Sequence, residues 1–126
     1  MGNRSPQIGV IRNLRNEVNV ADSCVIAESF MSRAVGLIGR RQISRGEGLL
    51  LKPCNSIHMW FMRVAIDVAF LKRLGSNRFQ VTSVHHNLYP WRVFPVGDSK
   101  ADDTLELPSG MLKSCSVEVG DVLCLS

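Results

Sequence analysis

The stretch Gly48–Leu71, GLLLKPCNSIHMWFMRVAIDVAFL, decides how this chain folds. It reads as three buried strands in quick succession, Gly48–Lys52, Ile57–Met62 and Ile66–Leu71. The breaks fall at Pro53-Cys54-Asn55 and near Arg63-Val64-Ala65. Short apolar runs bounded by turn residues are the pattern of core strands. Asp67 lies in the most apolar part, between Ile66 and Val68. A carboxylate there is costly to bury unpaired. The fold must either keep it neutral or bring it a cation and backbone donors. Arg33, Arg40 and Arg63 are the candidate cations, and a structural ion pair of Asp67 with Arg33 or Arg40 is expected.

Upstream, Ile8–Leu14 and Glu17–Glu28 read as strands joined by a tight turn at Arg15-Asn16, with Ala21-Asp22-Ser23 as a bulge or kink. The period then changes. Phe30, Ala34, Leu37 and Ile38 recur at helical spacing, Ser29 can cap and Gly39 can terminate, so a short amphipathic helix is predicted there. Downstream, Leu74-Gly75-Ser76-Asn77 is a hairpin turn by composition, and Arg78–His85 alternates as a half-buried strand. A short strand over Thr104–Leu107, a helical turn from Pro108-Ser109-Gly110 through Cys115, and a closing strand Asp121–Leu125 complete the order. No repeat, low-complexity tract or linker divides the chain, so residues 1–126 are expected to form one domain. Many short strands, with several connections too short for a parallel crossover, favour antiparallel pairing. The predicted fold is mainly β: a compact antiparallel barrel-like or sandwich core with two short helices at its edge or end.

At 126 residues with 45% hydrophobic content, the chain can bury about two-thirds of its unfolded surface. The net charge of +4 is compatible with an anionic partner, but the arginines at 33, 40, 41 and 45 are not interleaved with aromatics. That argues against nucleic acid. No stretch approaches the ~20 apolar residues of a membrane span, and the N-terminus lacks a signal-peptide core, so a soluble cytoplasmic protein is expected. Cys24, Cys54, Cys115 and Cys124 form no CxxC pair and no zinc-ligand spacing. Each lies among apolar or small residues, as buried thiols do; sequence leaves a disulfide between two of them open.

These residues resemble domain-of-unknown-function family 192, a widespread prokaryotic group. The resemblance runs through Arg33-Ala34-Val35-Gly36-Leu37-Ile38-Gly39-Arg40, Gly48-Leu49-Leu50-Leu51 and the whole of Ile57–Leu71. It continues in Pro90-Trp91-Arg92, Leu105-Glu106-Leu107-Pro108-Ser109-Gly110 and Gly120-Asp121. Ala65 stands where that family usually has proline, and Ile38 where it usually has methionine or leucine; both are conservative for packing. The resemblance implies a compact β-rich domain with no assigned activity.

Two functional classes follow from the residues. Trp60, Tyr89, Trp91 and Phe94, with Arg63 and Arg92, could form an aromatic and arginine surface that recognises a protein or small ligand. Asn87–Lys100 has too many prolines for regular structure and too many aromatics for an idle solvated loop. The leading expectation is therefore a non-enzymatic accessory or binding domain. The alternative is a small hydrolase-like enzyme centred on His58, Asp67 and Cys54, which requires those groups to converge. His85 and His86 are adjacent and on a strand would face opposite ways, so no metal site, and no cofactor, is expected. Thiol titration of the denatured, unreduced chain should find four reactive cysteines; fewer would establish a disulfide.

Overall fold

The computed structural model describes residues 7–28, 37, 40 and 42–126. Nine strands are present among them: β1 (Gln7–Asn13), β2 (Val18–Ala27), β3 (Glu47–Leu51), β4 (Ser56–Ile57), β5 (Ile66–Arg73), β6 (Arg78–Leu88), β7 (Val96–Gly97), β8 (Asp103–Pro108) and β9 (Val122–Leu125). One short helix, α1 (Met111–Ser114), lies between β8 and β9. Seven strands close a barrel in the order β1-β2-β3-β8-β5-β6-β9, and β9 returns to β1 at Ile11 and Leu125. The remaining two, β4 and β7, form a separate antiparallel ribbon. The protein is mainly β, as predicted, and the barrel is mixed: β2 and β3 run parallel. The connection over residues 28–46 is long enough for the crossover that parallel pairing needs. The helix predicted over Ser29–Ile38 falls almost wholly outside the described residues. No helix among those described is long and apolar enough to cross a membrane.

Strand alternation divides the apolar residues into two layers. Ile11, Val20, Leu50, Ala69, Leu71, Phe79, Val81, Leu105 and Leu107 fill the barrel, and Met111 and Leu112 of α1 join them. Leu49, Leu51, Ile66, Val68 and Phe70 point outward instead, into a second layer with Met59, Met62, Leu88 and Val96. The central strands therefore read as continuous apolar runs because both faces are covered. The predicted strand Ile57–Met62 is corrected here. Pairing stops at Ile57, and Met62 N–H bonds back to Met59 O at 3.2 Å in a turn. Met59 and Met62, three residues apart, are the buried side chains of that turn, whereas Trp60 and Phe61 face out.

Asp67 lies on the inward face of β5 and is completely buried. Its Oδ1 accepts the Asn87 N–H at 2.8 Å, and its Oδ2 accepts those of Gly110 and Leu112 at 3.0 Å each. The expected partner Arg40 is engaged elsewhere, in a bidentate pair with Glu47 at 2.8 and 3.2 Å. Arg33 lies outside the described residues. Backbone donors thus take the place foreseen for an arginine: a turn entering a helix exposes unpaired N–H groups that a carboxylate can satisfy. A second buried carboxylate, Asp121, accepts from Arg15 Nε at 2.6 Å, Asn13 Nδ2 at 2.8 Å and Glu118 N at 2.8 Å. Burial pushes Asp121 up, but these hydrogen bonds outweigh it and hold the carboxyl below its ordinary value.

Replacing Asp67 by alanine strands three backbone donors, that of Leu112 buried and those of Asn87 and Gly110 partly so, and a loss of about 2–4 kcal/mol in chemical denaturation is expected; a variant that unfolds like the wild type would refute the anchoring role. Because folding depresses the Asp121 pKa, its contribution is present above the unfolded carboxylate value of about 4 and is lost as pH falls through the folded value. Melting curves of wild type and Asp121→Asn should therefore differ at pH 6 and converge only as pH falls through the depressed folded value of Asp121.

Candidate functional site

The β4–β7 ribbon carries two loops side by side. It is extended by Asp98 N–H to Asn55 O at 2.9 Å, so both loops spring from a paired base. Residues 58–65 form the first and residues 89–95 the second. Trp91 N–H bonds to Met59 O at 2.9 Å and Trp60 Nε1 donates to Val93 O at 3.1 Å. The Phe61 and Trp91 rings meet edge to face, centroids 4.9 Å apart. His58 packs on Trp60 at 5.4 Å. The loops are therefore cross-linked by main chain, indole and ring.

Two aromatics hold strained backbone. Phe61 has φ 67° and Trp91 φ 62°, in the left-handed region that bulky residues rarely enter. Such conformations cost on the order of 1–3 kcal/mol each and persist only where surrounding structure imposes them. Here they turn the rings outward. Tyr89, Trp91 and Phe94 are all exposed, with Trp60 and Phe61; the range runs from 46% for Trp60 to 75% for Phe94. Val93, 68% exposed, adds to the same patch. Every exposed Phe, Tyr and Trp ring among the described residues lies on these two loops.

Arg63 and Arg92 are exposed and, among the described residues, have no ion-pair partner. Arg92 Nε donates to the backbone Phe94 O at 3.3 Å, which ties its guanidinium to the second loop. Neither loop contains Asp or Glu, so the patch is apolar with a positive margin. Phe61 is a patch residue that sequence reasoning missed, because the assumed strand would have buried one side of its run. The available signal was the spacing of Met59 and Met62, since a turn that buries both leaves Trp60 and Phe61 outside.

The alternative catalytic group is not assembled. His58 is exposed on its loop, Asp67 points into the barrel with its oxygens on backbone N–H groups, and Cys54 Sγ contacts Ser56 O at 3.2 Å. His85 and His86 differ as expected for adjacent strand residues: the His85 ring sits edge-on to Phe70 at 5.5 Å, while His86 is exposed. Burial lowers the His85 pKa, Arg92 lowers it further, and Asp98 opposes them. No group of three or more His, Cys, Asp or Glu that could hold a metal occurs among the described residues.

The sequence profile of DUF192, described as uncharacterized ACR, COG1430, matches residues 11–125. The chain belongs to the DUF192 family. Curated relatives include UPF0127 proteins from Pyrococcus furiosus and Pyrococcus horikoshii. The first is 37% identical over 117 residues, 89% of each chain. The second is 35% identical over 101 residues, 76% of this chain and 81% of the relative. Among solved structures, a Sinorhizobium meliloti 1021 protein provisionally described as a transcription regulator superposes with a TM-score of 0.83 at 22% identity, covering 98% of both chains. A protein of unknown function from Novosphingobium aromaticivorans gives 0.72 at 16%, covering 98% of this chain and 99% of that one. Those two likenesses establish a shared fold. The DUF192 match spans both loops and all seven barrel strands from Ile11 onward.

Proposed function

We propose that this DUF192 protein is a binding domain that recognises a protein partner through the aromatic surface of residues 58–65 and 89–95. The observation that carries this reading is the concentration, among the described residues, of every exposed Phe, Tyr and Trp ring on two mutually bonded loops. Exposed aromatic clusters flanked by arginine have the composition of interface hot spots, where Trp, Tyr and Arg dominate. Fixing the rings in place beforehand lowers the entropy lost when they dock. A rigid barrel displaying recognition groups on loops is also a common division of labour. The hydrolase-like alternative gains no support from the positions of His58, Asp67 and Cys54. The regulator description of the S. meliloti protein is not extended to this chain, because shared fold does not carry function.

The test uses photo-crosslinking at position 94 to identify a partner, followed by binding of the two purified proteins. Trp91→Ala and Phe94→Ala should each leave unfolding free energy within about 1 kcal/mol of wild type. Each should weaken the purified pair by at least about tenfold, equivalent to about 1.4 kcal/mol. Wild-type affinity in both variants, or a loss of several kcal/mol in their stability, would refute the surface as a recognition site.

A further inference from the structure

Across residues 48–97 the chain carries six Lys and Arg but one acidic residue, Asp67. Both aromatic loops lie inside this span. The acidic residues that border them in sequence are all engaged within the fold. Glu47 holds the bidentate pair with Arg40. Asp67 is completely buried on its three backbone N–H groups. Asp98 accepts from the hydroxyls of Thr82 at 2.6 Å and Ser83 at 2.7 Å and from the Lys100 N–H at 2.9 Å. The two loop arginines are left over. Arg63 stands two residues from Phe61 and Arg92 follows Trp91, so each loop brings one guanidinium within two residues of the Phe61–Trp91 ring contact. Both side chains are exposed and, among the described residues, neither is in an ion pair. Arg92 Nε is held by Phe94 O, which restrains the side chain and leaves its terminal nitrogens as donors.

Resting on the reading of this face as a recognition surface, we propose that its partner is an acidic protein segment, whose apolar side chains seat on the rings while Asp or Glu carboxylates beside them pair with Arg63 and Arg92. Charge complementarity carries the inference. A face with unpaired cations and no carboxylate of its own attracts acidic segments and repels basic ones. Arginine suits the role because its planar fork grips a carboxylate with two parallel N–H bonds. Docking on the rings also removes water from around such pairs, which strengthens them. Two arginines are too few for other polyanions. Anionic lipid surfaces are held by clusters of about four to eight Lys or Arg, and single-stranded nucleic acid by a positively charged groove that tracks its backbone. A short acidic segment needs only one carboxylate for each guanidinium.

The probe is a peptide selected on the purified full chain from a displayed library of random short sequences, then synthesised and titrated by fluorescence anisotropy. Enriched sequences should combine aromatic or aliphatic residues with an excess of Asp and Glu over Lys and Arg. Replacing those acids by Asn and Gln should weaken binding by at least about tenfold. Arg63→Gln and Arg92→Gln should each weaken the acidic peptide by about threefold and flatten the dependence of its affinity on salt. The double variant Arg63→Glu, Arg92→Glu should reverse the preference and bind a counterpart with Lys in place of Asp and Glu more tightly than the original, a gain that misfolding cannot produce. Enriched peptides that lose affinity in Phe94→Ala but carry no acidic excess would overturn the acidic partner and leave the recognition surface standing. Peptides that bind Trp91→Ala and Phe94→Ala as they bind wild type would overturn the surface itself, and a selection that enriches nothing would count against both. Tighter binding of phosphatidylserine vesicles or of an oligothymidylate than of the acidic peptide would assign the face to a membrane or a nucleic acid and sink the proposal.

Discussion

The Asp67 carboxylate fixes how three separate parts of the chain meet. It sits on the inner face of β5, yet its hydrogen bonds go to the backbone at Asn87, where β6 turns away, and at Gly110 and Leu112, where α1 begins. A helix of four residues cannot hold itself in water. Its first N–H groups need an acceptor, and Asp67 provides one from across the barrel. With those donors held, Met111 and Leu112 seat in the barrel core and close it off. The bend at Asn87, with φ 51°, sends the chain directly into the second aromatic loop. One buried charge thus couples the interior of the barrel to the direction of its exposed loop.

The loops themselves have two sides. Met59, Met62, Leu88 and Val96 point inward and roof the second apolar layer, while Trp60, Phe61, Trp91 and Phe94 point away from it. Packing on the inner side offsets the left-handed backbone at Phe61 and Trp91. The exposed rings are therefore supported by buried methionine and aliphatic side chains immediately beneath them. Removing an outer ring touches little of the core, whereas removing an inner methionine would loosen the platform. This separation of display from support is what permits the surface to be apolar without being part of the fold's own stability.

Much of this architecture can be read from residue order. The apolar runs at Leu49–Leu51 and Ile66–Leu71 read as strands because they are short and bounded by turn residues, and they are continuous because both their faces are covered. The aromatics of Asn87–Lys100 stand out because prolines deny most of that segment regular structure; only Asn87-Leu88 of β6 and Val96-Gly97 of β7 are paired strand. The reading of Ile57–Met62 as a strand failed because Met59 and Met62 are spaced by three, a turn's spacing, inside a run whose composition is that of a strand. The backbone partners of Asp67 went unseen for another reason. Sequence shows charges, and arginine is the visible candidate, but the unpaired N–H groups of a turn carry no letter of their own. The burial of Glu106 was hidden likewise: a Leu-Glu-Leu alternation ordinarily puts the acid in water, and only the cover over the outer face changes that.

The barrel closes by joining its first and last strands, β1 to β9, so the seam unites segments about a whole chain length apart. Contacts of such sequence separation form late and slow the search for the native state. During synthesis, β1 can pair with β2 early, but its other edge stays open until β9 emerges. β6 waits for the same strand. Until then two unpaired edges face the cell, and open edges are templates for wrong partners. β9 is only four residues long, so a short segment carries the step that turns an open sheet into a barrel without edges.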